Sequence, residues 1–142
     1  MSADVRSFVD TNVLVYAYDA DAGRKHGIAR DLLTSLWRSH SGVLSVQVLQ
    51  EFYVTVTRKL PEPLERATAR RIISRYSTWQ VYAPGTMDIV RAAELEEEHQ
   101  LSFWDALIIV AASHVGANRL LSEDFQIGRR IEGLSIENPF AE

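Results

Sequence analysis

Two periods share the hydrophobic pattern of this chain. Short apolar-centred runs, "SFV" at residues 7–9, "GVLSV" at 42–46, "WQVYAP" at 79–84, "NRLLS" at 118–122 and "LSIENP" at 134–139, read as buried strands. Between them apolar residues recur at helical spacing. After "SFV" a helical segment runs to about residue 18, and "DADAG" at 19–23 is a loop. Residues 24–40 carry Ile28, Leu32, Leu33 and Leu36 on one face. Ser45 is placed to cap a helix over 46–59, whose apolar stripe is Val48, Leu49, Phe52, Tyr53 and Val56. "LPEP" at 60–63 breaks the chain before a helix over 64–78, with Ile72, Ile73 and Tyr76 on its apolar side. A helix over 86–100 ends in acids, and Ser102 caps the next one, which runs to residue 114 and stops at Gly116.

Short strands alternating with helices predict an α/β chain: a parallel sheet covered by helices on both faces. With 142 residues, no repeat and no Gly/Pro/Ser-rich linker, residues 1–142 are expected to form one domain.

Composition narrows the chemistry. The chain has no cysteine, which excludes disulfides and thiolate metal sites and fits a reducing compartment such as the cytoplasm. No apolar run approaches the roughly 20 residues of a membrane helix, and the first ten residues lack the apolar stretch of a signal peptide. The formal net charge of −4 excludes nucleic-acid binding by bulk charge. The charge is uneven, however: between residues 58 and 75 lie six basic side chains against two acids, and between 88 and 105 six acids against one arginine. A local polyanion contact is therefore permitted, with Arg58, Lys59, Arg70 and Arg71 as candidates.

Four acids occupy positions that need explaining. Asp10 interrupts an apolar segment directly after the first strand; alone, it reads as a helix cap. Glu51 sits at the edge of an apolar helix stripe, on one side with Val48 and Thr55. Asp105 begins a helix that is apolar nearly all round, beside Phe103 and Trp104, where a charge is poorly solvated. Asp124 follows the fourth strand, with Glu123 as a competing neighbour. In an open parallel sheet, ligands gather at the carboxyl ends of strands near the point where strand order reverses. If the four acids meet there, their repulsion calls for a hard divalent cation, and oxygen ligands without histidine or cysteine suit Mg²⁺ or Mn²⁺. Such a site suits phosphoryl chemistry.

The segments "FVDTNVLVYAYD", "LSVQVLQEFYVTVTRK", "LSFWDALIIVAA" and "LLSEDF" resemble, in order and across nearly the whole chain, the PIN-domain nucleases, and especially the VapC-type ribonuclease toxins. That resemblance implies a three-layer α/β/α PIN-like fold with a five-stranded parallel sheet of order 3-2-1-4-5. It implies that Asp10 and Asp105 are the main metal ligands, that Asp124 binds metal directly or through water, and that Glu51 orients or deprotonates the attacking water. Thr11 and Asn12 would support the site, and Ser122 would hydrogen-bond a metal-bound water. The implied reaction is hydrolysis of RNA phosphodiesters to 5′-phosphate and 3′-hydroxyl ends. The implied partners are RNA, a small antitoxin protein and a second copy of the chain in a homodimer, with Trp37, Tyr53, Trp79 and Trp104 as candidate surface residues.

Other classes fit less well. A receiver domain needs a lysine near the last strand, and the two lysines here are Lys25 and Lys59. A haloacid-dehalogenase-type phosphatase needs Asp-x-Asp, where this chain has Asp10-Thr11-Asn12. The same residues also fit an RNA-processing PIN nuclease outside any toxin–antitoxin pair, or a non-catalytic PIN-like RNA-binding module.

Overall fold

The computed structural model describes residues 5–125 and 129–141. Its elements run in the order β1 (Ser7–Val9), α1 (Thr11–Tyr16), a 3₁₀ turn (Ala20–Ala22), α2 (Arg24–Ser39), β2 (Gly42–Ser45), α3 (Val46–Arg58) and α4 (Arg66–Tyr76). There follow β3 (Gln80–Tyr82), α5 (Thr86–His99), α6 (Phe103–His114), β4 (Arg119–Leu121), β5 (Arg130–Ile131) and β6 (Leu134–Glu137).

The strands form one sheet of order β3-β2-β1-β4-β6-β5. Five of them, β3-β2-β1-β4-β6, are parallel and follow the expected order, with β6 as the fifth predicted strand. The expected count of five needs correction, because β5 adds a sixth strand, antiparallel to β6. Glu132 and Gly133 both have positive φ, 54° and 78°, and close the β5–β6 hairpin with the two-residue turn that matches strand twist. At Arg130–Ile131 the added strand is too short to show a period.

The connections set the layers. The chain steps from β1 to β2 to β3 in one direction, then returns past β1 to β4. Parallel crossovers are right-handed, so reversing direction places α5 and α6 on the face opposite α1–α4. The contacts agree: α1 packs on α2 and α3, α3 on α4, and α5 on α6. Strands β1 and β2 are buried along their whole length, which explains why they read as continuous rather than alternating apolar runs. Helix α6 is buried from Ala106 to Ala112 and touches β2 and β6, the central-helix role its all-round apolarity predicts.

Against the expectation, α1 ends at Tyr16, two residues short, and Tyr18 and Asp19 turn back onto Val15 and Tyr16 through their backbone amides. At Gly42 the aromatic cluster of Trp37, Tyr76 and Trp79 comes so close that a Cβ would meet the Trp79 ring at 2.2 Å. Only glycine fits there.

Candidate active site

The strand order reverses between β1 and β4, and Asp10 lies at that point. Its amide donates to the carbonyl of Leu121, the last residue of β4, at 3.0 Å. It also occupies the N-cap of α1 in extended conformation, so the cap and the special position are one residue. One carboxylate oxygen accepts the Thr11 amide hydrogen and the other the Ser122 hydroxyl, both at 2.7 Å. The side chain is buried, and burial pushes its pKa up from 3.8 to about 6. The two hydrogen bonds oppose that shift, and the charges of Asp124 and Asp105 add to it.

Asp105 stands in the first turn of α6, where Ser102 caps the helix by accepting the Asp105 amide at 3.1 Å. Burial raises its pKa as well; the Ser102 hydroxyl opposes the rise, and the charges of Asp124 and Glu51 reinforce it. Glu51, in the second turn of α3, accepts from Thr11 Oγ1 at 2.6 Å and from Gln47 Nε2 at 3.3 Å. The same Gln47 nitrogen reaches the carbonyl of Trp104 at 3.3 Å, which ties the Glu51 helix to the start of the Asp105 helix. Asp124 accepts from Asn12 Nδ2 at 2.7 Å, and its amide donates to Ser122 Oγ at 3.1 Å. The four predicted acids thus share one electrostatic neighbourhood, and Thr11, Asn12 and Ser122 each bond to one or more of them.

Glu123 has a different environment. Lys25 Nζ donates to it at 2.7 Å, and the Tyr16 hydroxyl donates to its other oxygen. Burial would raise its pKa, but these bonds and the Lys25 charge bring it below the ordinary range. Its carboxylate is already satisfied, whereas Asp124 faces the acid group.

Two clefts flank the acids. One, of about 410 Å³, is lined by Thr11, Gln50, Glu51, Val54, Thr55 and Lys59. The other, of about 360 Å³, shares Thr11 and Thr55 and adds Asn12, Asp19 and Asp124 among others. Lys59 therefore shares a cleft with Glu51, while Arg58, Arg70 and Arg71 are exposed on the last turn of α3 and on α4. Of the four candidate surface aromatics, Trp37, Tyr53 and Trp79 are half-buried against the core, and Trp104 is 62% exposed.

Gln47, Tyr16 and Lys25 were not among the predicted site residues. A local signal existed for Gln47, which stands four residues before Glu51 on the same helix face. Tyr16 and Lys25 meet Glu123 across 107 and 98 residues of chain, with nothing local to pair them.

The residues present fit a hard divalent cation. The donors are carboxylate oxygens whose mutual repulsion a cation would relieve. The amide that holds Asp124 also leaves Asn12 Oδ1 buried without a hydrogen-bond partner, an unmet acceptor beside the acids. Among the described residues, no three acidic or histidine side chains are yet drawn tightly enough to enclose an ion.

The chain belongs to the PIN domain family, which matches residues 7–131. Its fold is similar to that of Mycobacterium tuberculosis VapC20, a toxin that cleaves the sarcin-ricin loop, with a TM-score of 0.65 and 23% identity over 83% of this chain and 91% of that one. It is also similar to a toxin–antitoxin complex from Klebsiella pneumoniae (TM-score 0.67, 20% identity, 94% of this chain and 98% of that one). VapBC2 from Rickettsia felis, bound to a DNA fragment from its promoter, is similar too (TM-score 0.66, 19% identity, 94% and 98%). No curated protein matches the chain by sequence. Among the described residues no helix is long and apolar enough to cross a membrane.

Proposed function

We propose that this protein is a Mg²⁺- or Mn²⁺-dependent endoribonuclease and the toxin of a toxin–antitoxin pair, built as a single PIN domain. The observation that carries this reading is the buried Asp10 carboxylate at the switch point, destabilised in its charged form by burial and by Asp105 and Asp124. A protein holds such a charge when it has a positive ligand for it. Membership of the PIN family and the likeness to VapC20 and two toxin–antitoxin complexes support the nuclease and toxin parts.

In this reading Asp10 and Asp105 hold the cation, with Asp124 as a ligand directly or through water. When bound there, the cation would supply positive charge for a phosphate oxygen and lower the pKa of a water. Glu51, fixed by Thr11 and Gln47, orients the attacking water and takes its proton. The water oxygen bonds to phosphorus as the 3′-oxygen leaves, which gives 5′-phosphate and 3′-hydroxyl ends. Lys59 contacts the RNA backbone beside Glu51, and Arg58, Arg70 and Arg71 extend that basic surface. The partners of this reading are RNA, a small antitoxin and a second copy of the chain, in the cytoplasm.

Total cellular RNA, incubated with the purified protein and mapped at its new ends, tests the proposal. Discrete Mg²⁺- or Mn²⁺-dependent cuts that disappear with chelator and with Asp10→Asn support it. Cutting that survives both contradicts it.

A further inference from the structure

We infer that Glu123 is a positioning residue, held by Lys25 and Tyr16 so that the turn after β4 presents Asp124, and not itself, to the cation. The inference rests on the metal-dependent reading above and concerns how the site is built.

Three consecutive residues leave β4 in three directions. Ser122 turns inward: its hydroxyl donates to Asp10 and accepts the Asp124 amide. Glu123 turns toward α1 and α2, where Lys25 Nζ and the Tyr16 hydroxyl satisfy both carboxylate oxygens. Asp124 faces Asn12 at 2.7 Å. Lys25 is itself seated, with its ammonium 5.1 Å from the centre of the Tyr16 ring and 5.7 Å from that of Phe140. The ion pair therefore fastens one side of the turn while Ser122 fastens the other, and Asp124 lies next to both anchors. Outer partners that orient ligands commonly change metal affinity by ten- to a hundredfold.

Charge and positioning predict opposite signs for one substitution. Lys25→Met keeps an unbranched apolar stem against the two rings and removes a positive charge near the acids. By charge alone, cation binding would tighten. If the pair positions Asp124, binding weakens.

The test is Mn²⁺ binding to the metal-free protein, followed by calorimetry or by the spin-resonance signal of free Mn²⁺. Lys25→Met, Glu123→Gln and the double variant are expected to weaken binding by about tenfold each, with no further loss in the double variant. Lys25→Arg is expected to bind as wild type does. Weakening by Glu123→Gln with unchanged or tighter binding by Lys25→Met would overturn the inference, because charge alone would then account for both. Unchanged binding in both would overturn it as well. Wild-type protein that binds no Mn²⁺ would instead refute the metal reading on which it rests. Protein that shows these effects on Mn²⁺ binding but cuts no RNA would refute only the nuclease reading.

Discussion

The Ser122 hydroxyl donates to the buried carboxylate of Asp10 at 2.7 Å, across 112 residues of chain. It also accepts the Asp124 amide, so one hydroxyl joins the end of β1 to the turn after β4. Ser122→Ala removes the larger of the two hydrogen bonds that favour the Asp10 anion. Asp10 then holds its proton to higher pH, and the acidic limb of the pH–rate profile moves upward. A buried acceptor losing its partner also costs about 1–3 kcal/mol of stability, visible in a denaturant melt.

Asp10 carries a stability cost in its charged form. Its folded pKa, about 6, lies above the ordinary 3.8, so the folded protein binds the proton more tightly than the unfolded chain. The sign is then fixed: the metal-free protein is penalised above pH 6 and recovers stability as pH falls from 6 toward 3.8. That interval corresponds to about 3 kcal/mol at neutral pH. Asp10→Asn is expected to melt higher than wild type at pH 7 without metal, by the equivalent of about 1–2 kcal/mol, since the amide must also satisfy its own N–H groups. Added Mn²⁺ should raise the melting temperature of wild type and leave the variant unmoved.

Thr11 holds Glu51 through its hydroxyl at 2.6 Å. Thr11→Val keeps the shape and removes the donor. If Glu51 orients water, the loss falls on kcat, by about tenfold for one hydrogen bond of about 1.4 kcal/mol. Steady-state kinetics on a short RNA would show it, and an effect confined to KM would contradict the role.

Lys59 and Arg71 carry equal charge in different places. Lys59 shares a cleft with Glu51, while Arg71 is exposed on α4 with its guanidinium on Thr68. Lys59→Glu is expected to weaken RNA binding and lower the slope of log affinity against log salt by at least about 1. Binding isotherms at several salt concentrations measure it, and an unchanged slope would remove Lys59 from the RNA path.

Gly42→Ala tests the packing remote from the acids. The new methyl would stand 2.2–2.7 Å from three atoms of the Trp79 ring, which is wedged against Trp37 and Tyr76. The expected cost is about 1–3 kcal/mol in a thermal or denaturant melt.

Much of this was legible from residue pattern. Continuous apolar runs foretold β1 and β2 as strands buried on both faces, and the all-round apolarity from Ala106 to Ala112 foretold the central helix. Asp10 illustrates the limit of a local rule. Taken alone it reads as a cap, and it is one, yet its second carboxylate oxygen belongs to Ser122, 112 residues away. The choice between Glu123 and Asp124 was not legible, because the two neighbours differ only in what folding brings to them: Lys25 and Tyr16 to one, Asn12 to the other. Strand β5 was hidden for another reason. Its turn, Glu132-Gly133, lacks the Asn-Gly or Asp-Gly that usually announces a two-residue hairpin.

In the proposed function these acids hold a cation that supports the hydrolysis of RNA. The most direct measurement is cleavage of an end-labelled RNA by metal-free protein titrated with Mg²⁺ or Mn²⁺, wild type beside Asp105→Asn. The account predicts cleavage that rises with the cation, leaves 5′-phosphate ends, and falls by at least about a hundredfold in the variant. Equal cleavage by Asp105→Asn, or cleavage undiminished in chelator, would contradict it.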